Sequence, residues 1–294
     1  MVVATGFFDG VHIGHRHVIK QLIAASKARE DESVVITFWP HPRTILQNGA
    51  RELRLLSSLD EKKAILKQLG VDRVEVLPFT RAFSQLTAED YLRDVVRDKI
   101  GGKAVLIGYD NRVGSDSKTP EEIAEIAHKL GLEVIRTERI DGEGTTISST
   151  VIRRLISVGN VDAAAELLGS PYMLHGVVVA GNRRGRTIGF PTANMKLYEP
   201  LKLLPGGGAY LVGVEVLGEK YHGMCNVGVR PTVSSSNAIS IETNIFDFNE
   251  DIYGLDLKVS FLEKIRDEQK FQDIEALKVQ LQADKEKCLE MLSR

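Results

Sequence analysis

Hydrophobic and polar positions alternate between strand-like and helix-like patterns through the first half of the chain. Five short runs rich in apolar and β-branched residues predict strands: VVATGFF, SVVITFW, RVEVLPF, KAVLIGY and LEVIRTERI. Four intervening segments repeat apolar residues at helical spacing and predict amphipathic helices: HRHVIKQLIAASKAR, LDEKKAILKQLG, AEDYLRDVVRDKIG and TPEEIAEIAHKLG. Strand and helix in alternation, with nearly continuous apolar strands, predict a parallel sheet covered on both faces.

The pattern changes after about residue 170. Strand-like segments now follow one another across glycine-rich or polar turns, with no helical pattern between them: MLHGVVVAG, AYLVGVEVLG, KYHGMCNVGV, SIETNIFDF and LDLKVSFLEKIR. This spacing predicts an antiparallel sheet or barrel. A final amphipathic segment, from about residue 272 to 292, predicts one terminal helix that packs on the barrel.

The two halves meet at a short helical stretch, LISVGNVDAAAELLGSPYML, which Gly169 and Pro171 are expected to end. We therefore predict an α/β domain over residues 1–157, a helical linker over 158–171 and a β-barrel domain over 172–294. The length of 294 residues fits two domains of ordinary size.

Composition narrows the classes of function. The formal net charge is -2, so there is no overall basic field for nucleic acid or an anionic membrane. Two cysteines, Cys225 and Cys288, lie far apart and show no zinc-site spacing. No apolar run approaches the roughly 20 residues that span a bilayer, and the first residues do not resemble a signal peptide. We expect a cytoplasmic protein.

The stretch ATGFFDGVHIGHRHVI carries the first candidate chemistry. Asp9 and Gly10 are turn residues between a strand and a helix predicted to begin near His15. Backbone N–H groups and the helix dipole at such a turn favour an anion. His12 and His15 can face the same pocket, and Gly14 lets a phosphate approach the backbone. Two histidines that merely cap the helix or lie on its surface are the alternative.

Three further segments follow predicted strands: TFWPHP after the second, GYDNRVG after the fourth and ISSTVIRRLI after the fifth. Because ligands bind at the carboxyl ends of parallel strands, we expect these segments to meet the two histidines at one edge of the sheet.

The second half opens with HGVVVAGNRRGRTIGFPTANM. Gly181, Gly185 and Gly189 recur at four-residue intervals in a loop that also carries Arg183, Arg184 and Arg186, a composition suited to phosphate. Thr192 and Asn194 offer oxygen ligands to a hard cation such as Mg²⁺. An ordinary turn before a strand is the alternative for the PTAN segment.

Together, GFFDGVHIGH, TFWPHP, GYDNRVG and ISSTVIR resemble the Rossmann-like nucleotidyltransferase module of the bacterial bifunctional riboflavin kinase/FAD synthetases, over roughly the first 155 residues. The resemblance implies transfer of AMP from ATP to FMN with release of pyrophosphate, without a covalent enzyme intermediate. It implies a catalytic role for His12 and His15. The implied ATP contacts are Gly6, Phe8, Asp9, Gly14, Asp110, Ser148, Ser149, Thr150 and Arg153.

Likewise, GRTIGFPTAN, CNVGVRPTV, IETNIFDF and FLEKIRDEQKF resemble the riboflavin kinase module over residues 172–294. The resemblance implies that Glu242 is the general base for phosphorylation of riboflavin. It implies ATP contacts at Gly181, Gly185, Arg186, Gly189 and Thr192, a Mg²⁺ site at Thr192 and Asn194, and flavin contacts at Asn226 and Arg266. Riboflavin, FMN and ATP are the implied substrates, with no nucleic acid and no membrane.

The chain departs from the family pattern at Asn111, where an aromatic residue or histidine is usual, at Val113, where phenylalanine is usual, and at Asn244, where histidine is frequent. A kinase with a weakened or inactive adenylyltransferase, or a non-catalytic flavin-binding protein, are the alternatives. The short arginine clusters lack the interleaved aromatics of RNA-binding surfaces. Nothing resembles the KMSKS loop that accompanies a HIGH segment in aminoacyl-tRNA synthetases. The oligomeric state stays open.

Overall fold

The computed structural model describes residues 1–46, 53–108, 112–137, 147–181, 184–229 and 239–293, without the side chains of Arg184, Arg186 and Val229. The chain divides into two compact units, Met1–Ser149 and Thr150–Arg294. Among the residues so described, no helix is both long and apolar enough to cross a membrane.

The first unit contains the predicted parallel sheet. Its strands are β1 (Val2–Thr5), β2 (Ser33–Trp39), β3 (Arg73–Pro78), β4 (Ala104–Ile107) and β5 (Glu133–Arg136), in the order β3-β2-β1-β4-β5. Its helices are α1 (Ile13–Lys27), α2 (Pro42–Leu46), α3 (Leu59–Gln68), α4 (Ala88–Asp90), continued by a π-helix over Tyr91–Lys99, and α5 (Pro120–Lys129). The strand and helix pattern predicted from the sequence is confirmed.

Helices cover both faces of this sheet because its strands are apolar on both sides. On one face the buried residues come from β1, β2, α1 and α3: Val2, Ala4, Val35, Ile19, Leu22 and Leu66. On the other they come from β1, β2, the π-helix and α5: Val3, Val34, Ile36, Val96, Ile123 and Ala127. Each strand therefore contributes alternate side chains to two cores, as the continuous apolar runs predicted.

The second unit begins with α6 (Ser149–Ser157, from Thr150 onwards) and α7 (Val161–Leu168). Gly169 ends α7 in the left-handed region (φ 74°), as its place in the sequence predicted. The strands are β6 (Tyr172–Val179), β7 (Ala193–Leu197), β8 (Gly208–Val216), β9 (Glu219–Val229), β10 (Ile239–Ile245) and β11 (Asp256–Arg266). They close into an antiparallel barrel in the order β10-β7-β6-β11-β8-β9.

Three elements of this unit were not among the predicted ones: α6, the short helix α8 (Arg184–Thr187) and the strand β7. Helix α8 lies inside the segment assigned from the sequence to a glycine-rich loop and the PTAN motif, and β7 begins inside it. The strand sequence ANMKL is short and contains no β-branched residue, so its pattern carries little strand signal. Pairing with β6 and β10 determines its conformation instead.

The terminal helix, α9 (Ile274–Leu292), starts after the N-cap Asp273, whose side chain accepts from Ala276 N–H (2.8 Å). It is fastened to the end of β11. Arg266 donates through Nε and Nη2 to the carboxylate of Asp284 at 2.8–3.0 Å. The Lys287 ammonium donates to Ile265 O (2.8 Å). The predicted packing of this helix on the barrel is confirmed.

Candidate active sites

The turn between β1 and α1 is tighter than the sequence suggested. β1 ends at Thr5, and Phe8, Gly10 and Val11 all have positive φ (50°, 78° and 41°). The Phe8 ring turns back over the chain, so a Cβ at Gly6 would lie 2.9 Å from it. Gly6 therefore lets the ring pack here, and Phe8 belongs to the core beside α1 rather than to the end of the strand.

The Asp9 side chain fixes the conformation of this turn. Its carboxylate accepts from the backbone N–H groups of Leu56 (3.0 Å) and Ser57 (3.0 Å), and Ser57 Oγ accepts from Gly10 N–H (3.0 Å). The backbone carbonyl of Asp9 accepts a hydrogen bond from the hydroxyl of Ser149 (3.2 Å), which is the first residue of α6. The side chain predicted to contact ATP is thus bound to the segment before α3, and it shapes the site through the backbone.

The two histidines of the HIGH segment lie together, as predicted. Their rings stack, with centroids 3.6 Å apart and planes at 18°. His12 is the N-cap of α1, and its Nδ1 accepts from His15 N–H (3.4 Å). A Cβ at Gly14 would lie 3.2 Å from His12 Nδ1, so glycine leaves room for the ring. The alternative of a helix cap is correct for His12, and its ring also stacks on that of His15.

His15 has an unusual electrostatic environment. Burial lowers its pKa well below 6.5, and the charges of His12 and Lys62 lower it further. Its Nδ1 is buried and has no hydrogen-bond partner within the part of the chain that the structure describes. A neutral imidazole beside a helix N-terminus can donate one ring N–H to an anion.

Lys62 is a residue of this site that sequence reasoning missed. It lies on α3 and is fully buried, with Nζ 3.8 Å from the Phe7 ring centroid and 3.3 Å from Thr37 Oγ1. Burial lowers its pKa to about 8, against the opposing attraction of Asp9. One signal was available: Lys62 precedes the buried Leu66 by four residues and so lies on the apolar face of α3.

Aromatic side chains gather where β2 and β3 end. Phe38, Phe79, Phe83 and Tyr91 have ring centroids 5.4–6.5 Å apart. All but Tyr91 are partly exposed. Val113 packs on the same core cluster. Phe38 lies within the TFWPHP motif, but no sequence pattern predicted this aromatic group, because its members come from separate segments.

Several predicted positions are near this edge or outside the described residues. Asp110 and Asn111 lie outside them, so their predicted roles stay predictions. Ile147 lies beside the turn, 3.9 Å from a Cβ built on Gly14. Ser148 and Ser149 are partly buried, and Ser149 reaches the turn through Asp9. Thr150 and Arg153 follow on α6, with Arg153 one turn after Ser149.

The barrel brings three predicted polar residues into one row. Glu242 on β10 pairs directly with Asn194 on β7 and with Asn226 on β9. Directly opposite residues of antiparallel strands share a face, so these side chains lie side by side. Asn194 is buried, whereas Glu242 and Asn226 are partly exposed. This row places the predicted base between two amide side chains.

Gly181, just after the end of β6, lies against one member of this row. A Cβ at Gly181 would lie 2.3 Å from Asn194 Nδ2, and one at Gly185 would lie 2.2 Å from Phe190 O. These two glycines therefore permit close contacts, whereas Gly189 faces open space. Arg183 and the side chain of Arg186 lie outside the described part of the chain. Asn244 Nδ2 donates to Pro191 O (2.7 Å) and ties β10 to the PTAN segment.

A cavity of about 510 Å³ opens beside the PTAN segment. Its walls include Pro191, Thr192, Ala193, Thr243, Ile245 and Phe248. A partly apolar cavity of this size with a few polar groups is typical of a small-molecule site. Thr192 thus lines the cavity, and Asn194 follows it by two residues on the same segment.

The donor set near Thr192 fits magnesium. No group of three His, Cys, Asp or Glu side chains suited to a metal ion occurs among the described residues. The oxygen donors there are instead the hydroxyl of Thr192, the amide carbonyl of Asn194 and the carboxylate of Glu242. Mg²⁺ typically binds one or two such protein oxygens together with substrate phosphates, so the residues fit that ion.

The flavin contacts predicted at Asn226 and Arg266 differ in their surroundings. Asn226 lies near the Glu268 carboxylate, since a Cβ at Gly228 would be 3.0 Å from Asn226 Nδ2 and 2.5 Å from Glu268 Oε1. Glu268 is a second polar residue that sequence reasoning missed. Arg266 directs its guanidinium to Asp284 and Asp267 O. Its flavin contact stays a prediction, while its bond to α9 is a finding.

Comparison with known proteins assigns the chain to two enzyme families, one for each half. Residues 1–151 match the family model described as FAD synthetase, and residues 168–292 match the one described as riboflavin kinase. A protein of Listeria monocytogenes, named bifunctional riboflavin kinase/FMN adenylyltransferase, is 37% identical over 97% of this chain and 90% of its own length. A Bacillus subtilis protein of the same name is 34% identical over 99% of this chain and 92% of its own.

A crystal structure from Streptococcus pneumoniae, described as a macrolide-efflux protein, has TM-score 0.88 and 38% identity, over 97% of this chain and 92% of that one. The fold and the matches define a transferase with two catalytic units. The chain belongs to the family of bifunctional riboflavin kinase/FMN adenylyltransferases. The fold class and family predicted from the sequence are confirmed.

Proposed function

We propose that the second unit phosphorylates riboflavin to FMN and that the first unit adenylylates FMN to FAD, each with ATP and Mg²⁺. The observation that carries the proposal is the cross-strand row in which Glu242 lies between Asn194 and Asn226. The predicted boundaries at residues 157 and 171 remain part of this proposal. So does a cytoplasmic location, which the two buried, unpaired thiols support.

In the kinase reaction, Glu242 takes the proton of the terminal ribityl hydroxyl. The hydroxyl oxygen forms a bond to the γ-phosphorus of ATP while the bond from that phosphorus to the β-phosphate oxygen breaks, and ADP leaves. A partly exposed carboxylate on a rigid strand is a suitable base because it stays within hydrogen-bond reach of the bound alcohol. Thr192 and Asn194 would hold Mg²⁺, which neutralises phosphate charge when it is bound.

In the transferase reaction, an oxygen of the FMN phosphate attacks the α-phosphorus of ATP, the bond to the β-phosphate oxygen breaks, and pyrophosphate leaves. The nucleophile is already an anion, so no base is needed. His12, His15 and the N-terminus of α1 stabilise the charge on the transferred group. Gly6 and Gly14 keep the turn open, and Ser148, Ser149, Thr150 and Arg153 bind the triphosphate.

The aromatic group of Phe38, Phe79 and Phe83 supports flavin binding in the first unit. Partly exposed rings at the carboxyl edge of a sheet offer faces and edges against which an isoalloxazine ring can stack. Val113, in place of the usual phenylalanine, packs on the hydrophobic core of the sheet face that includes Tyr91.

Two incubations of the purified full-length protein test the proposal. Riboflavin, ATP and Mg²⁺ should yield FMN and then FAD, and FMN, ATP and Mg²⁺ should yield FAD and pyrophosphate, as measured by chromatography. FMN formation without FAD under both conditions would favour the kinase-only alternative. Flavin binding without either product would favour the non-catalytic one.

A further inference from the structure

The segment between β3 and α4 carries Phe83, one of the rings proposed to bind the flavin. Its internal hydrogen bonds are local: Ser84 N–H donates to Thr80 O and Phe83 N–H donates to Thr80 Oγ1, both at 3.0 Å. Bonds of this kind shape a single turn, but contacts with another part of the chain are needed to hold that turn against the sheet. The position of the Phe83 ring therefore depends on what the segment is fastened to.

A tight turn after β4 supplies such contacts. It covers residues 113–118, and an isolated antiparallel bridge between its two ends closes it. Ser115 N–H donates to Leu86 O (2.8 Å), and Ser115 Oγ donates to Gln85 O (3.1 Å). We call this element the 113–118 turn. It is bonded to the chain directly after the short helical turn that contains Phe83.

Asp116 makes a third bond from the 113–118 turn. Its Oδ1 accepts from the N–H of Ala88 (3.0 Å), which is the first residue of α4. The first N–H groups of a helix have no acceptor within the helix, and a carboxylate is favoured at this end by the helix dipole. The N-cap Thr87 serves a different group, the Asp90 N–H (3.1 Å). Asp116 is thus a second cap, supplied from 28 residues further along the chain.

Gly114 permits the close approach of the turn to the helix. Its φ of 82° lies in the left-handed region, which favours glycine. A Cβ at this position would lie 2.2 Å from Ala88 N and 2.3 Å from Asp116 Oδ1. Any other residue here would push the turn away from the start of α4. One steric and one polar residue therefore specify the same contact.

The helix that Asp116 caps carries a second ring of the aromatic group. Helix α4 continues into the π-helix, whose first residue is Tyr91. The Tyr91 ring centroid lies 6.0 Å from that of Phe83, and its hydroxyl is hydrogen-bonded to Thr5 Oγ1 (2.9 Å) at the end of β1. The bonds of the 113–118 turn fall between Phe83 and Tyr91 in the sequence. A shift of this attachment would change the positions of both rings.

We propose that Asp116 is a positioning residue of the adenylyltransfer site, which holds the Phe83 ring in place for the isoalloxazine ring of FMN by capping the helix that follows. The inference rests on the proposed function of the first unit, including flavin binding at the aromatic group. Asp116 acts through the backbone of residues 86–88 and not by contact with a substrate. The role requires a hydrogen-bond acceptor, so asparagine should replace the aspartate, whereas alanine should not.

The first test compares the KM for FMN with the KM for ATP in FAD formation by the full-length protein. D116A should raise the KM for FMN about fivefold, the change expected for loss of one helix cap of ordinary strength. It should leave the KM for ATP, and kcat at saturating FMN, unchanged. D116N should stay close to the wild type, because its amide oxygen still accepts from Ala88 N–H. E125A, at an exposed position of α5, is the matched control.

Three results of this test would overturn the inference. They are a wild-type KM for FMN in D116A, an equal rise of both KM values, which indicates a general loosening of the first unit, and a D116N variant as impaired as D116A. The last result would show that the charge of Asp116 matters and the cap does not.

The second test measures the contact itself by hydrogen exchange of the full-length protein. The Ala88 amide should exchange faster in D116A than in the wild type, and at the wild-type rate in D116N and E125A. G114A displaces the turn without removing an acceptor, so it should raise both this exchange rate and the KM for FMN. Unchanged exchange in D116A, or a wild-type KM for FMN in G114A, would contradict the proposed role.

The outcomes separate this inference from the function on which it rests. If the wild type forms no FAD from FMN and ATP, the proposed function fails before any variant is compared. If the wild type forms FAD and folded D116A keeps the wild-type KM for FMN, the function stands and the role of Asp116 is wrong. Should D116A fail to fold, S115A removes a single bond to Gln85 O and tests the same attachment. It should raise the KM for FMN alone, and an unchanged KM would overturn the inference.

Discussion

Glu242 on β10 and Asn194 on β7 are direct cross-strand partners in the barrel. They are 48 residues apart in the chain, yet the register places the carboxylate beside the amide on one face. The position of Asn194 is further fixed by Gly181, which has no Cβ to displace it. The proposed general base thus lies beside the proposed magnesium ligand, an arrangement suited to transfer of a phosphoryl group to an alcohol.

The first prediction concerns this carboxylate. E242Q keeps the shape of the side chain but removes its ability to take a proton, so kcat for FMN formation should fall by about 10²–10⁴-fold. FAD formation from FMN should be unchanged, because it takes place in the other unit. Steady-state assays of both products check this. E263Q, an exposed glutamate on β11 of the same barrel, is the control and should keep wild-type rates.

The second prediction concerns the stacked histidines. H15N should lower kcat for FAD formation by about 10²–10³-fold, the typical loss when one donor to a developing anion is removed. FMN formation should be unaffected. H128N, at an exposed position of α5, provides the control. A normal rate of FAD synthesis in H15N would exclude the ring from the reaction.

The third prediction concerns the attachment of α9. Asp284 is buried and accepts three hydrogen-bond contacts from Arg266. D284A leaves the guanidinium without its anion and should lower the free energy of unfolding by about 3–5 kcal/mol. The double variant R266M/D284L replaces the pair by apolar groups and should regain most of that loss. Urea unfolding of the variants measures both, and a double variant as unstable as D284A would contradict the prediction.

The fourth prediction follows from the pKa of Lys62. Burial lowers it to about 8 in the folded protein, from 10.5 for a lysine exposed to water in the unfolded chain. Between these values the unfolded chain binds more protons, so the free energy of unfolding rises with pH. The cost, about 3 kcal/mol, is present in full below pH 8 and is relieved as pH approaches 10.5. Relative to K62M, the wild type should therefore gain stability across this window. Guanidinium unfolding of both proteins at pH 7, 9 and 10.5 tests the sign.

The parallel sheet and the barrel could be predicted because their strands carry strong local patterns. The five apolar runs of the first half became β1 to β5, and the HIGH segment could be placed at their carboxyl edge by a general rule of α/β sheets. The stacking of His12 on His15 also follows from local spacing, since the two lie three residues apart around one helix start.

The parts that escaped prediction depend on long-range pairing. β7 has a weak pattern, and its neighbours β6 and β10 determine it. The segment LDEKKAILKQLG was predicted as an amphipathic helix, but its pattern did not single out Lys62, which lies on the buried face. Arg266 was assigned to flavin by resemblance, and only the register of α9 on β11 shows that Asp284 meets it. In each case the partner is distant in sequence, so no local window contains the signal.

The cap at the start of α1 also determines the tautomer of His12. Because Nδ1 accepts from the His15 N–H, the single hydrogen of a neutral His12 ring is on Nε2. Protonation of Nδ1 would turn this acceptor into a donor and take away the cap. The first turn of the helix and the charge on its leading imidazole are therefore thermodynamically linked: an anion that favours uptake of a proton at Nδ1 of His12 also weakens the first turn of α1.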